Sequence, residues 1–462
     1  AQQADVVVVN HHLFFADVAL KDTGVAELLP SANTIIFDEA HQLPDTATLF
    51  FGQTVSTSQV LELCRDVLAE GLAHARGGPD WAKVVTVVEK AARDLRLAFP
   101  QDIMRLSLAQ IAPSSDFFPA LATLKEQLDG MVGVLEEQAA RAETIEQCRV
   151  RAVELGAALE GWKPDAKGKV VEGDQAVLWV EAFSSSLQLH KTPLSIAPIF
   201  TNQREGTPRS WIFTSATLAV KNDFKHFSNQ MGLTGEASQT WPSPFDYEKQ
   251  GLLYVPTGLP EPNSMGYTDA VVDCALPVIE AAGGRTFFLC TTNRAVKLVA
   301  ERLRAEFSER GLNFPLFVQG ERGRTELLDA FRSAGNAVLV GSQSFWEGVD
   351  VRGDALSLVI IDKLPFAPPD DPVLAARIDV MERQGMNGFM HHTLPEAIIN
   401  LKQGAGRLIR DETDRGVLMI CDPRLISKSY GKRVWQSLPP FKRTRVQDDV
   451  IAFFKTPASE PG

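Results

Sequence analysis

The hydrophobic pattern of this chain changes period several times. Near the start, "ADVVVVN" carries Val6 to Val9 as an unbroken apolar run, and "NTIIFDEAHQLPD" at 33–45 carries a second at 34–37 that ends in two acids. Short unbroken apolar runs bounded by turn residues read as strands buried on both faces, so both are expected in a parallel sheet, with a helical or loop segment between them. From about 55 to 160 the period becomes helical: Val60, Leu61, Cys64, Val67, Leu68 and Leu72 recur on one face, as do Met131, Val134, Leu135, Ile145 and Cys148. This interval reads as a mostly helical insertion. "GWKPDAKGKVVEGDQ" at 161–175 reads as a boundary with turns, and "AVLWVEAF" as a strand returning to the parallel sheet. Five further strands are expected in "SWIFTSATL", "RTFFLCTTNRA", "AVLVGSQSFWEGVD", "LSLVIIDKLPF" and "GVLMICDPR". Strand, loop and helix in series close as βαβ units, so the chain is α/β with a second parallel sheet after the first.

Composition narrows this modestly. At 462 residues and 45% hydrophobic content the chain exceeds the ~250–300 residues at which one core stops growing, and three packing units are expected. A net charge of -12 argues against a wholly basic nucleic-acid coat but leaves room for a local basic groove. Cys64, Cys148, Cys274, Cys290 and Cys421 show no CxxC-type spacing, so neither a disulfide framework nor a zinc or iron–sulfur site is written into them, and a reduced, cytoplasmic protein is expected. No apolar run approaches the ~18–20 residues of a membrane span. Because nothing precedes Val6 to Val9 that could cap or cover a sheet, the chain is expected to begin inside a domain.

In open α/β sheets ligands sit beyond the carboxyl ends of strands, so the polar residues there carry the chemistry. Asp38 can hold Mg²⁺, largely through water, and Glu39 can polarise a water for attack on a phosphoryl group; the plain alternative is two acids in a turn. Gln403, Arg407 and Arg410, spaced by four and then three, share a face if helical, which suits gripping phosphate oxygens; the alternative is a solvated face paired to Asp411 or Glu412. Thr214, Ser215 and Thr217 follow one strand, and Ser342, Ser344, Gly348 and Asp350 another, as phosphate-binding groups or ordinary caps and turns. Thr291 and Thr292, with Asn293 as a helix cap, could donate to a nucleic-acid backbone. "GERGR" and "KRVWQSLPPFKRTR" could line a strand-binding groove, with Trp435 and Phe441 as stacking candidates. The adjacent pairs His11–His12 and His391–His392 diverge and read as local hydrogen-bonding residues, not metal ligands.

D-E-A-H at 38–41, S-A-T at 215–217, "SFWEGVDVRG" at 344–353, "DKLPFAPPDDP" at 362–372 and "QGAGRLIR" at 403–410 follow the order of superfamily 2 helicase motifs II, III, V and VI. The chain resembles the XPD/DinG group, and within it the bacterial YoaA branch; "ADVVVVNHHLFFAD" and "WPSPFDYEKQ" extend the likeness over nearly the whole length. The resemblance implies two RecA-like motor domains with a helical Arch-like insertion: a partial first motor domain at 1–52, the insertion at 53–165, a return at 166–247 and the second motor domain at 248–462. It implies ATP and Mg²⁺, with Asp38 on the metal, Glu39 activating water and His41 coupling the nucleotide site to neighbouring motifs. Gln403 would meet the γ-phosphate region, Arg407 and Arg410 would supply transition-state charge, Asp350 would join the nucleotide site, and Ser215, Ala216 and Thr217 would couple it to movement. Thr291, Thr292, Ser344 and Gly348 would contact single-stranded DNA. It further implies a monomer working 5′ to 3′ on single-stranded or forked DNA in repair or replication-stress handling, beside replication or repair proteins in the cytoplasm.

Two features of the group are missing from the 462 residues. The phosphate loop G-x-x-x-x-G-K-[ST] does not occur, "GWKPDAKGKV" having the wrong spacing and ending in Val170, and the four cysteines of the group's [4Fe-4S] cluster are not among the five present. The chain is therefore expected to be a truncated helicase, inactive alone. Two other readings are a non-catalytic DNA-binding or partner-docking fragment, and a DEAH-type RNA helicase, against which the helical insertion and "SFWEGVD" speak.

Overall fold

The computed structural model describes residues 3–23, 28–100, 103–162, 175–205, 208–342, 345, 351 and 355–456. They form two compact units where the sequence suggested three. Unit 1 is Ala1–Ser215, Ser228–Thr234 and Pro368–Gly388; unit 2 is Ala216–Phe227, Gly235–Ala367 and Phe389–Gly462.

Unit 1 carries β1 (Thr34–Phe37), β2 (Gln53–Ser56), β3 (Met104–Ser107), β4 (Ala176–Ala182), β5 (Leu187–Pro193) and β6 (Ser210–Phe213). β1 and β6 pair in parallel, Thr34 opposite Ser210 and Phe37 opposite Phe213. One face of the pair packs in an aromatic cluster, Phe37 lying 5.4 Å from Phe213 and 4.9 Å from Phe14 between ring centroids. On the other face Ile36 is 65% exposed, so β1 is half-buried and not the fully buried strand its apolar run suggests. Val6 to Val9 form no strand at all, and Val8 is 92% exposed. An extended segment becomes a strand only through ladder hydrogen bonds, and none of the described residues supplies them here.

The helical interval is as expected in kind, with helices Thr57–His74, Trp81–Leu97, Phe117–Gln138 and Glu143–Ala158. The first starts at a reciprocal cap, Ser56 Oγ accepting from Gln59 N at 3.1 Å and Gln59 Oε1 from Ser56 N at 2.8 Å. Val60, Cys64, Val67, Met131, Leu135, Ile145 and Cys148 are buried, whereas Leu72 is exposed and Leu63 takes a core place instead. These helices bury their apolar faces on an antiparallel sheet of order β2-β5-β4-β3, with Val180, Ala182, Leu187 and Leu189 in the same core. β4 thus does not return to the parallel pair. Its connection to β5 is the tight turn at 183–186, closed by Phe183 N donating to Ser186 O at 2.8 Å, and so short a link permits only antiparallel pairing. Most of the expected boundary at 161–175 lies outside the described residues. Residues 368–388, read from sequence as part of 248–462, pack in unit 1: Arg377 donates to Leu194 O at 3.1 Å and Thr48 Oγ1 at 3.3 Å.

Unit 2 carries β7 (Gly251–Tyr254), β8 (Thr286–Cys290), β9 (Leu316–Val318), β10 (Val338–Ser342), β11 (Leu358–Ile361), β12 (Gly416–Ile420) and β13 (Lys442–Thr444) in one parallel sheet, ordered β13-β7-β12-β11-β8-β10-β9. Alternate residues feed two cores: Phe287, Leu289, Val359 and Leu418 on one face, Phe288, Cys290, Ile360 and Met419 on the other. Burial on both faces is why these strands read as unbroken apolar runs. β7, β9 and β13 escaped the sequence reading, β9 and β13 being only three residues long.

Candidate functional site

The register of β1 and β6 builds the first cluster. Because Phe37 and Phe213 end their strands side by side, Asp38 falls beside Thr214 and Glu39 beside Ser215. The ladder runs on past the strands, Thr214 N donating to Phe37 O at 2.8 Å and Ala40 N to Thr214 O at 2.9 Å. Thr214 Oγ1 donates to Asp38 Oδ1 at 3.1 Å, and Ser215 Oγ to Glu39 Oε2 at 3.0 Å. With its proton given to Glu39, the Ser215 oxygen accepts from His41 Nδ1 at 2.9 Å, which assigns the His41 proton to Nδ1, 3.3 Å from Glu39 Oε2. His11 hydrogen-bonds to the Asp38 backbone behind them, and burial holds its imidazole below the ordinary value. Asp38 and Glu39 are exposed, so a hydrated Mg²⁺ ion fits at Asp38, one of whose oxygens Thr214 already orients.

Glu39 sits at φ 49°, ψ 43°, the left-handed region that disfavours residues with a Cβ by about 1 kcal/mol. Glu39→Gly and Glu39→Ala both lose the carboxylate, and only the first relieves the backbone. Glu39→Gly is therefore expected to be about 1 kcal/mol more stable than Glu39→Ala in urea unfolding; equal midpoints would show that the backbone here is unstrained.

In unit 2 the helix Leu394–Ala405 carries Gln403 but ends before the two arginines, so the three do not share a helical face as expected. Gly406 caps it, its N–H donating to Lys402 O at 2.8 Å, and Leu408 and Ile409 are buried in the turn that follows. Arg410 N and Asp411 N both donate to Asp414 Oδ2, at 2.7 and 2.9 Å. The Gln250 amide reaches the carbonyls of Asp411, Glu412 and Asp414 at 2.8, 3.1 and 3.0 Å. Gln250 thus positions the loop after Arg410; nothing local in the sequence marks it. Gln403 Nε2 donates to Thr217 Oγ1 at 2.6 Å, and the neighbouring Lys402 Nζ to Ala219 O at 3.1 Å, burial lowering the lysine pKa.

At the end of β8, Thr291 N donates to Asp362 Oδ1 at 3.0 Å and Thr291 Oγ1 stands 3.4 Å from Oδ2. The helix cap is Thr292, accepting from Ala295 N at 3.1 Å; Asn293, the expected cap, is already in the helix Asn293–Glu309. Ser342 is held through its N–H by Gln319 Oε1 at 2.6 Å. Ser344, Gly348 and Asp350 lie outside the described residues. "GERGR" lies at a cavity of about 330 Å³ lined by Gln319, Gly320, Arg322, Arg324, Leu327 and Phe345, with the Arg324 guanidinium 5.5 Å from the Phe345 ring centroid. Phe441 is not a stacking platform: it is core, filling the space at Gly251, where a Cβ would stand 2.0 Å from its ring. Trp435 is covered on one face by Arg443 at 4.0 Å.

The cysteines do not fit an iron–sulfur cluster. Cys64, Cys148, Cys290 and Cys421 are buried in the hydrophobic cores and Cys274 is half-buried. Burial pushes each thiol up, Cys64 to about 12, and the five are divided between different cores, Cys64 and Cys148 in one and Cys274, Cys290 and Cys421 in or against another. The histidines are less scattered than their sequence suggests: His392 lies with His226 and Glu396.

Parallel strands ending in Asp-Glu-Ala-His, hydrogen-bonded to a Ser-Ala-Thr segment, together with a glutamine-arginine turn on a second parallel sheet, define a superfamily 2 helicase class of protein. The helicase C-terminal domain family matches residues 275–441. The ATP-dependent DNA helicase YoaA of Escherichia coli is 41% identical over 459 residues, 99% of this chain and 70% of that protein. YoaA of Haemophilus influenzae is 41% identical over 456 residues, 98% of this chain and 70% of that protein, and the helicase DinG of Mycobacterium tuberculosis 32% identical over 475 residues, 96% and 64%. A solved XPD helicase superposes with a TM-score of 0.59 at 17% identity, covering 96% of this chain and 73% of its own. The chain belongs to the XPD/DinG helicase family, with parallel sheets and a helical insertion of the XPD kind.

Proposed function

We propose that this chain is an ATP-dependent DNA helicase that moves on single-stranded DNA, in the setting of DNA repair or replication stress, with unit 2 and the β1–β6 part of unit 1 as RecA-like motor parts. The observation that carries this reading is the hydrogen-bonded set of Asp38 with Thr214 and of Glu39 with Ser215 and His41. Asp38 would hold Mg²⁺, which when bound neutralises phosphate charge; Glu39, oriented by Ser215, is the base for the attacking water. A change at Ser215 alters the orientation of Glu39 directly, which suits the Ser-Ala-Thr segment to coupling. In unit 2, Gln403, Arg407 and Arg410 are the groups for the γ-phosphate and its developing charge. Thr291, Thr292 and the Arg322–Arg324–Phe345 cavity suit a single strand, by backbone donors, cationic charge and an aromatic ring. A 5′ to 3′ direction rests on family resemblance alone.

A second reading has its own observation. The 462 residues contain no G-x-x-x-x-G-K-[ST] pattern, so the backbone amides and lysine that cradle the β- and γ-phosphates are not supplied by them, and ATP turnover by this polypeptide is expected to be slow. One experiment separates the readings: ATP hydrolysis by the chain and by Glu39→Gln, each with single-stranded DNA, with RNA and without nucleic acid. DNA-stimulated hydrolysis above the Glu39→Gln rate supports the catalytic reading. Salt-sensitive DNA binding without such hydrolysis supports a DNA-binding role, and stimulation by RNA in preference to DNA overturns the substrate.

A further inference from the structure

Within unit 2, His226 meets two side chains from much later in the chain, His392 and Glu396. His226 comes from the helix Lys225–Met231, His392 from the π-helical turn Phe389–Thr393, and Glu396 from the first turn of Leu394–Ala405. One ligand atom of each lies within 4.8 Å of the other two. The His226 side chain is 8% and the Glu396 side chain 35% exposed, and His392 is 6% exposed, so the group is nearly closed, with the carboxylate toward water. A π-turn is rare and is often kept where a function needs its altered spacing; here it precedes Leu394–Ala405 directly and brings His392 to the carboxylate-bearing turn.

His226 faces an acceptor on each ring nitrogen. Its Nδ1 stands 3.2 Å from His391 O and its Nε2 2.8 Å from Glu396 Oε1. Both partners are acceptors, and a neutral imidazole has one N–H to give. With Nδ1–H donated to the carbonyl, the Nε2 lone pair faces a carboxylate oxygen, an arrangement that either a second proton on the ring or a metal ion satisfies, and the nearby His392 supplies a further nitrogen ligand for the latter. An imidazole whose second nitrogen donates to a backbone carbonyl is also the usual outer support of a metal-bound histidine.

We propose that His226 Nε2, His392 and Glu396 bind a divalent transition-metal ion of the zinc type. Two imidazoles and one carboxylate suit zinc, whereas Mg²⁺ and Ca²⁺ take oxygen ligands. Tetrahedral ligands at ~2.0–2.1 Å from the ion stand ~3.3 Å apart, so the 2.8 Å His226–Glu396 contact opens slightly on binding. The ion joins the segment that follows Ser-Ala-Thr to the helix that carries Gln403, beside the Gln403–Thr217 and Lys402–Ala219 bonds. This holds whether or not the chain hydrolyses ATP.

The test uses the whole chain, stripped with chelator and titrated with zinc chloride against a chromophoric competitor, with cobalt(II) as the spectroscopic probe. One equivalent should bind, the melting temperature should rise with zinc, and the cobalt spectrum should show nitrogen and oxygen ligands without a thiolate band. His392→Gln and Glu396→Gln should each weaken binding at least ~100-fold, beyond the loss typical of an outer-shell change, while Glu39→Gln leaves it unaltered. Glu396→Gln keeps a side chain of the same shape beside His226 and so guards against a folding defect. Failure to bind one equivalent, indifference to both substitutions, or a thiolate signature overturns the site.

Discussion

Gly284→Ala should destabilise unit 2 by about 3 kcal/mol or more, from left-handed strain and overpacking together. Gly284 lies just ahead of β8 at φ +76°, and a Cβ there would stand 2.0 Å from Asn336 O and 2.6 Å from Asn336 C. The obstacle is backbone, so no side chain can swing aside. Asn336 in turn precedes β10, whose pairing with β8 starts at Val338 opposite Thr286. Adding the methyl forces the two central strands apart at their amino ends, and the shift propagates toward Thr291 at the carboxyl end of β8. Gly283→Ala is the control: its φ is +66° but its Cβ would meet open space, so only the strain of ~1 kcal/mol should appear. Urea unfolding of the two variants decides; equal small losses would mean that the strands do not approach as closely as this.

The second large effect is on pH dependence, through Asp362. It is buried at the end of β11 and accepts from Lys363 N at 2.7 Å and Thr291 N at 3.0 Å. Burial dominates and pushes its carboxyl up from 3.8 to about 7, against the opposing pull of Lys363 and Thr291. The folded chain therefore holds a proton between these values that the unfolded chain has lost. Since the folded state binds more protons in that window, stability falls as pH rises from about 4 to about 7 and levels above it, by on the order of 4 kcal/mol in total. Asp362→Asn stays neutral and keeps an oxygen for the two backbone donors. Its stability relative to wild type should increase between about pH 5 and pH 8 in paired urea titrations, other carboxylates cancelling in the difference. A difference that stays constant across that range would refute the raised carboxyl.

The strand-end placement of Asp38 and Glu39 was legible because a short apolar run followed by acids is a local pattern, and so was that of Thr214 and Ser215 after their own strand. Their mutual bonds were not, since Ser215 and Glu39 are 176 residues apart and meet only through the β1–β6 register. The Gln403, Arg407 and Arg410 spacing misled for a related reason: a separation of three or four implies one face only while the helix continues, and Gly406 ends it. Trp435 and Phe441 look alike as aromatics among basic residues, yet the absent side chain at Gly251 draws Phe441 into the core.

Local chemistry thus settled the α/β class, four of the five inner strands of the second sheet, β8, β10, β11 and β12, the helical interval and the identity of the acids, because periodicity and strand-end placement act within a few residues. Pairing decided the rest. That Val6 to Val9 form no strand, that β4 joins an antiparallel sheet, that Gln250 holds the loop after Arg410, and that His226 meets Glu396 across 170 residues are matters of register, turn length and loop closure. Those depend on which distant backbone groups satisfy one another, and no window of the sequence contains both partners.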